Sequence, residues 1–393
     1  MDARRAYAAG LAGLRTQSPE TLALARIAAK ADPSFVAAHQ LEAWLLLCSR
    51  DARDFRSVGG VLERLDGLPM TAQELLHAEA IAATAGGDYA RGARLIDGIV
   101  EKYPHDLVAL VAGQVFDYFI GDLAALLRRT ALALPRWSSA DPGYHAMLSL
   151  HAFALEESGS YEEAERAAHR ALALEPHDVR AHHVVTHVLE MQGRAEEGIR
   201  WMGARTAFWS GAGAASTHLW WHLALHQLEL GRVRLALEVY DRRMQGRGLS
   251  ERIDASALLW RMHLAGHDVG ARFAPLAEAW APYAEDAHCA FNDIHAMMAF
   301  AGAGHWQDAA RLLAAQERRV ALRGGANYDM TRLVGLPASR ALAAYGRGDY
   351  AAAETVLRAL PPVAHRIGGS HAQRDILQLT RVASIQRRPK KAA

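Results

Sequence analysis

The chain has 393 residues, 51% of them hydrophobic and 22% charged. That composition excludes a disordered chain, and the length exceeds what one compact core ordinarily holds, so two domains or one elongated repeat array are expected. A formal net charge of +1 excludes a bulk attraction to nucleic acid, and two distant cysteines, Cys48 and Cys289, exclude a disulfide framework or a CxxC metal site.

The opening stretch, "MDARRAYAAGLAGLRTQSPE", carries no apolar signal region, and no apolar run is long enough to span a bilayer. A cytoplasmic protein in a reducing compartment is expected, with no membrane contact. Residues 1–50 read as two or three helices of unclear phase. From there the punctuation becomes regular. Short turns recur before a helical xxxA pattern, as in "GGDYARGARLI", "SGSYEEAERAA", "LGRVRLALEVY" and "RGDYAAAETVL". Their glycines are Gly87, Gly121, Gly159, Gly193, Gly231, Gly266, Gly304 and Gly348, separated by 34, 38, 34, 38, 35, 38 and 44 residues. A period in the mid-thirties with a helix on each side of a glycine turn predicts a helical-hairpin solenoid. Glycine closes the first helix of each pair because it accepts positive φ. Ala164, Ala236, Ala309 and Ala353, five residues on, let two helices approach closely. No stretch alternates with period two, so almost no sheet is expected. The predicted fold is all-α, a tetratricopeptide-like α-α superhelix of about nine or ten hairpins over residues 1–385, followed by a basic disordered tail over 386–393, "QRRPKKAA".

The clearest unit is 145–178, with Gly159, Tyr161, Ala164, Ala171 and Pro176 on the tetratricopeptide pattern. The blocks "HHVVTHVLEMQGR", "HLWWHLALHQLELGR", "DASALLWRM", "FNDIHAMMAF" and "HRIGGSHAQRD", in that order, resemble the tetratricopeptide repeat protein 38 family over roughly residues 70–385. The resemblance implies a helical-repeat protein without an established reaction. It implies no catalytic residues, so the roles below come from the residues themselves.

In "HHVVTHVLEMQGR", His183 and His187 are one helical turn apart, and Glu190 projects to the same side, opposite the apolar Val184, Val185, Val188 and Leu189. The repeat pattern assigns that side to a concave groove. In "THLWWHLALHQLE", residues turn by about 100° each, so His222 and His226 lie about 40° and 80° from His218, with Glu229 projecting between them. Trp221 flanks this stripe. At least His218 and His222 are expected to face solvent or a ligand. Later blocks add Asp254, Ser256 and Arg261, then Asn292, Asp293 and His295, then His365, Arg366, His371, Arg374 and Asp375. A polar concavity over 145–375 is expected. The Gly/Ala-rich 206–216 reads as a connection able to fold over it.

Three readings of the histidines stay open. They are groove polarity and interhelix hydrogen bonds, a ligand or catalytic pocket, or a metal site at His183, His187, His218 and His222. Neutral imidazoles at i and i+4 suit zinc or another first-row metal. The HExxH pattern is absent, since Val184 stands where it needs Glu. Ser370 and Gln373 fit a capping box after Gly368–Gly369, and a helix start beside Arg366 and Arg374 also suits a carboxylate or phosphate. Ser370, His371 and Asp375 do not form a triad by spacing, because adjacent helical residues point apart. Cys289 reads as a core cysteine before a nucleophile. No Walker A loop or GxGxxG follows a strand. The expectation is therefore a binding protein with a His/Asp/Glu/Arg-lined pocket for a small or anionic ligand or a peptide. Its alternative is an enzyme using that pocket for His-based acid/base or metal-assisted chemistry of a hydrolase or lyase type. The cofactor is left unknown, with a divalent metal and homo-oligomer formation open.

Overall fold

The computed structural model describes residues 1–244 and 248–388. These residues are helical throughout, with no strand among them, and the helices pair into hairpins stacked in chain order, a tetratricopeptide-like solenoid arrangement. They gather into two compact units. One holds Met1–Arg194 with Arg200–Ser216, and the other holds Ala195–Ile199 with the chain from Thr217 onward. Among the described residues, no helix is long and apolar enough to cross a membrane.

The first unit runs through α1 (Ala3–Thr16), α2 (Thr21–Ala31), α3 (Val36–Leu47), α4 (Ala52–Leu65), α5 (Ala72–Ala85), α6 (Tyr89–Lys102), α7 (Leu107–Ile120), α8 (Leu123–Ala133), α9 (Tyr144–Glu157), α10 (Tyr161–Leu174) and α11 (Val179–Met191). Next come α12 (Ala195–Trp209) and α13 (Ala214–Glu229), whose residues are divided between the units. The second unit continues with α14 (Val233–Arg243), α15 (Leu249–Leu264), α16 (Phe273–Trp280), α17 (Ala290–Ala303), α18 (Trp306–Leu322), α19 (Ala326–Met330), α20 (Leu336–Gly346), α21 (Tyr350–Leu357) and α22 (His371–Arg387).

The repeat signal has a direct backbone cause. All eight turn glycines sit at positive φ, between 67° and 83°, where a Cβ would clash. Asp88, Asp122 and Asp349 follow three of them and cap the next helix, accepting from Arg91, Ala125 and Ala352 backbone N–H groups. Ala164, Ala236, Ala309 and Ala353 are fully buried where the paired helices cross. First helices also pack on the next first helix, α3 on α5, α7 on α9 and α9 on α11. In the first unit Trp44 and Phe116 anchor a core running from Ala43 to Leu150.

The second unit ends differently from a plain array. Helix α22 packs back on α15, where Trp260 Nε1 donates to Thr380 Oγ1 at 3.0 Å and Arg387 donates to the His263 carbonyl at 3.1 Å. Two expectations change. The segment 206–216 is mostly helix, with only residues 210–213 between α12 and α13. Trp209 is fully buried and donates to the Met202 carbonyl, which fixes the end of α12, so the expected long connection is reduced to a short turn. Within the expected tail, Gln386 and Arg387 belong to α22, and residues 389–393 lie outside the described residues.

Candidate functional site

The densest cluster of ligand-type groups in the first unit joins the end of α9 to the middle of α11. Glu156, Glu157 and His187 are all buried, and one ligand atom from each lies within 4.8 Å of the others. The His187 Nδ1 is 3.2 Å from Glu156 Oε2. Neither oxygen of Glu156 reaches solvent or gains a hydrogen bond of good geometry. Burial alone would depress the His187 pKa, but the Glu156, Glu157 and Glu190 carboxylates outweigh it and raise it to about 9. With no metal bound, this imidazole therefore carries a proton at neutral pH.

The donors also fit a metal ion. Two carboxylate oxygens and an imidazole nitrogen suit zinc, iron or manganese, and no thiolate draws the site toward softer ions. A tetrahedral ion with bonds of about 2.0–2.1 Å sets its ligand atoms about 3.4 Å apart, so small rotamer shifts would close the present spacing around one ion. His183 stands one turn before His187. Its ring centroid is 4.2 Å from that of His187, and it stacks on Phe153 at 5.9 Å. Of the expected groove residues on α11, His183 and Glu190 are half-buried and His187 is fully buried.

In the second unit the imidazoles of α13 diverge in role. His218 is half-buried, its Nδ1 is 2.9 Å from Asp254 Oδ1, and its ring stacks on Trp221 at 5.1 Å. Of the two sides expected for His222, solvent or a ligand, it does not face solvent. It is fully buried, and the ring centroids of His218 and Trp221 each lie 4.7 Å from its own. His226 is a packing residue, and a Cβ on Gly198 of α12 would overlap its ring. Glu229, the fourth member of the stripe, is exposed.

The remaining candidates serve the second unit's interior and its last helix. Asp293 accepts from Gln316 Nε2 at 3.2 Å inside the core, and burial raises its pKa to about 7. His295 Nδ1 lies 2.7 Å from the Phe291 carbonyl, one turn earlier on α17, and Asn292 beside it is half-buried. Arg261 reaches Asp375 and the Ala372 carbonyl, tying α15 to α22. Arg374 donates to the Gly369 carbonyl, while Arg366 and His371 are exposed. Gln373 Oε1 accepts from the Ser370 N–H at 3.1 Å, half of the expected capping box. Cys289 is the half-buried N-cap of α17, not a core residue.

No family model matches the chain. The solved structures that resemble it include two helical-repeat assemblies. One is the crystal structure of the APC/C hetero-tetramer Cut9–Hcn1, at 13% identity over 87% of this chain and 62% of that one, with a TM-score of 0.39. The other is the structure of Naa15/Naa10 bound to HypK-THB, at 14% identity over 93% and 64%, with a TM-score of 0.29. The chain thus spans less than two thirds of either.

Glu156 and Glu157 escaped the sequence reading, although a signal was present. Glu190 stands three residues before its turn glycine, Gly193, and Glu156 stands three before Gly159. The same repeat position carries a carboxylate in both hairpins. Many other histidines are structural. His77 bridges to Asp106, the N-cap of α7, at 2.7 Å, and His145 bridges to Asp178, the N-cap of α11, at 2.8 Å. His39 and His182 each meet the carbonyl of a proline six residues earlier.

Proposed function

We propose that the chain is a helical-repeat binding protein whose first unit holds a divalent transition-metal ion between Glu156, Glu157 and His187. The observation that carries this reading is the convergence of three buried ligand atoms within 4.8 Å, from neighbouring first helices. Burying two carboxyl groups beside a single imidazole is costly, since each desolvated charge loses several kcal/mol of hydration. A dication would be coordinated by the buried Glu156 oxygens, which lie beside the His187 imidazole. His183 stands beside it as a further donor. The resemblance to the tetratricopeptide repeat protein 38 family and a small-molecule or peptide ligand belong to the same proposal.

A second reading follows from the donor count. Three protein ligands leave coordination positions open, as catalytic metal sites do, and an open position favours metal-assisted hydrolysis. Cobalt substitution tests the site itself. After chelation and dialysis, one equivalent of Co²⁺ should give visible d–d bands that Glu156→Gln removes without changing the far-UV circular dichroism. Bands that persist unchanged in that variant would refute this ligand set.

A further inference from the structure

The amino-terminal hairpins line a half-open cavity of about 330 Å³ that the proposed metal site does not use. Tyr7, Leu11 and Arg15 of α1 face it at successive turns. Gln40 and Leu41 of α3 and Val108 of α7 add to its wall, and Trp137 and Pro142 come from the segment before α9. Its volume falls at the lower end of the range for small-molecule sites.

The polar groups in this cavity are unequally engaged. Asp106 is saturated, since Oδ2 takes Gln73 Nε2 and His77 Nε2, both at 2.7 Å, and Oδ1 takes the Ala109 N–H at 2.9 Å. The Trp44 indole N–H donates to His77 Nδ1 at 2.9 Å, so the ring's proton sits on Nε2, facing Asp106. Glu74 is committed to the cap of α5, accepting from the Thr71 N–H and hydroxyl, each at 2.8 Å. Arg15 has no such engagement. Its Nε is shut off from solvent and makes no hydrogen bond, and no ion pair holds the guanidinium among the described residues. Gly143 contributes to this placement. A Cβ there would lie 3.0 Å from Arg15 Nε and 3.1 Å from its Cδ, so the bare glycine, at φ 93°, lets the arginine stem lie across the turn.

We infer that this cavity binds a small carboxylate, its anionic end on Arg15 and its apolar body against Leu11, Leu41, Val108 and Trp137. A guanidinium takes a carboxylate through two parallel N–H donors, and no other group in the cavity offers an uncommitted cation of that shape. Burial, with Asp106 and Glu74 nearby, raises the Tyr7 pKa to about 12, which keeps its hydroxyl a donor to the same anion. The carboxylate's source is either a free acid or the carboxyl end of a peptide.

Isothermal titration of the full chain with benzoate, and with its neutral counterpart benzamide, tests this. Benzoate should bind and benzamide should not. Arg15→Gln should weaken benzoate roughly ten- to a hundredfold, the worth of a charged hydrogen-bond pair. A short peptide with a free carboxyl end, compared with its amide, separates the two sources: binding of the acid form but not the amide identifies a chain end, and binding of benzoate with no binding of either peptide form identifies a free acid. If Arg15→Gln does not fold, as judged by circular dichroism, Arg15→Lys replaces it and should lose most of the binding because the two-pronged contact is gone. Absence of benzoate binding to the wild-type chain, or equal binding to the folded Arg15 variant, would overturn the inference.

Discussion

Replacing Asp293 by Asn should stabilise the protein at mildly alkaline pH and do much less in acid. Asp293 lies in the core of the second unit with one hydrogen bond from Gln316, and burial moves its pKa from 3.8 to about 7. Its neutral form therefore fits the fold better than its charged form. The sign follows from proton binding: a group whose folded pKa is raised contributes stability that is full below its unfolded pKa and is lost as pH rises through the folded one. Each tenfold gain in proton affinity on folding is worth about 1.4 kcal/mol. Near pH 8 the ionised acid thus costs roughly 4 kcal/mol, and near pH 5 only roughly 1–2 kcal/mol. Asn matches Asp in shape, carries no charge and keeps an oxygen for Gln316. Urea denaturation of wild type and variant at these two pH values measures the difference, with circular dichroism following the helices. A variant less stable than wild type at pH 8, or a gain independent of pH, would refute the reasoning. It would mean that the charged carboxylate has a favourable role, as a ligand-binding group would.

Other substitutions probe the hairpins and the buried pairs. Ala164→Leu places a branched side chain where α9 and α10 cross with no free surface, and should cost about 1–3 kcal/mol in denaturation. Gly198→Ala should lower the melting temperature, because its methyl group would overlap the buried His226 ring; Gly203→Ala, with open space around it on the same helix, serves as the control and should raise the melt slightly, since alanine favours a helix over glycine. Arg129→Met strips the buried Asp117 of its guanidinium partner. It should cost about 3–5 kcal/mol at neutral pH, and further replacement of Asp117 by Asn should recover most of that loss.

The hairpins were legible in the sequence because their turns need a rare backbone conformation. Few side chains other than glycine occupy φ near 80°, so Gly87, Gly159 and Gly348 mark the period without help from packing. Ala164 and Ala236 were legible for a similar reason, since only a small residue fits the crossing. The environment of the polar residues was less legible. A helical wheel gives the side on which His222 or Asp375 lies, but not what covers that side. His222 is fully buried, and α22 returns across α15 to take Arg261 with Asp375. His226 shows the same limit, because its partner is a missing side chain, Gly198, on another helix. Glu156 was hidden differently. Its position repeats that of Glu190, yet two adjacent glutamates before a turn also read as an ordinary helix end.

The most direct test of the metal site is elemental analysis of untagged protein by inductively coupled plasma mass spectrometry after gel filtration, for the wild type and Glu156→Gln. The account predicts close to one equivalent of zinc, iron or manganese per chain in the wild type and a large loss in the folded variant. Wild-type protein that stays metal-free after incubation with each ion, or a variant that retains the full complement, would contradict it.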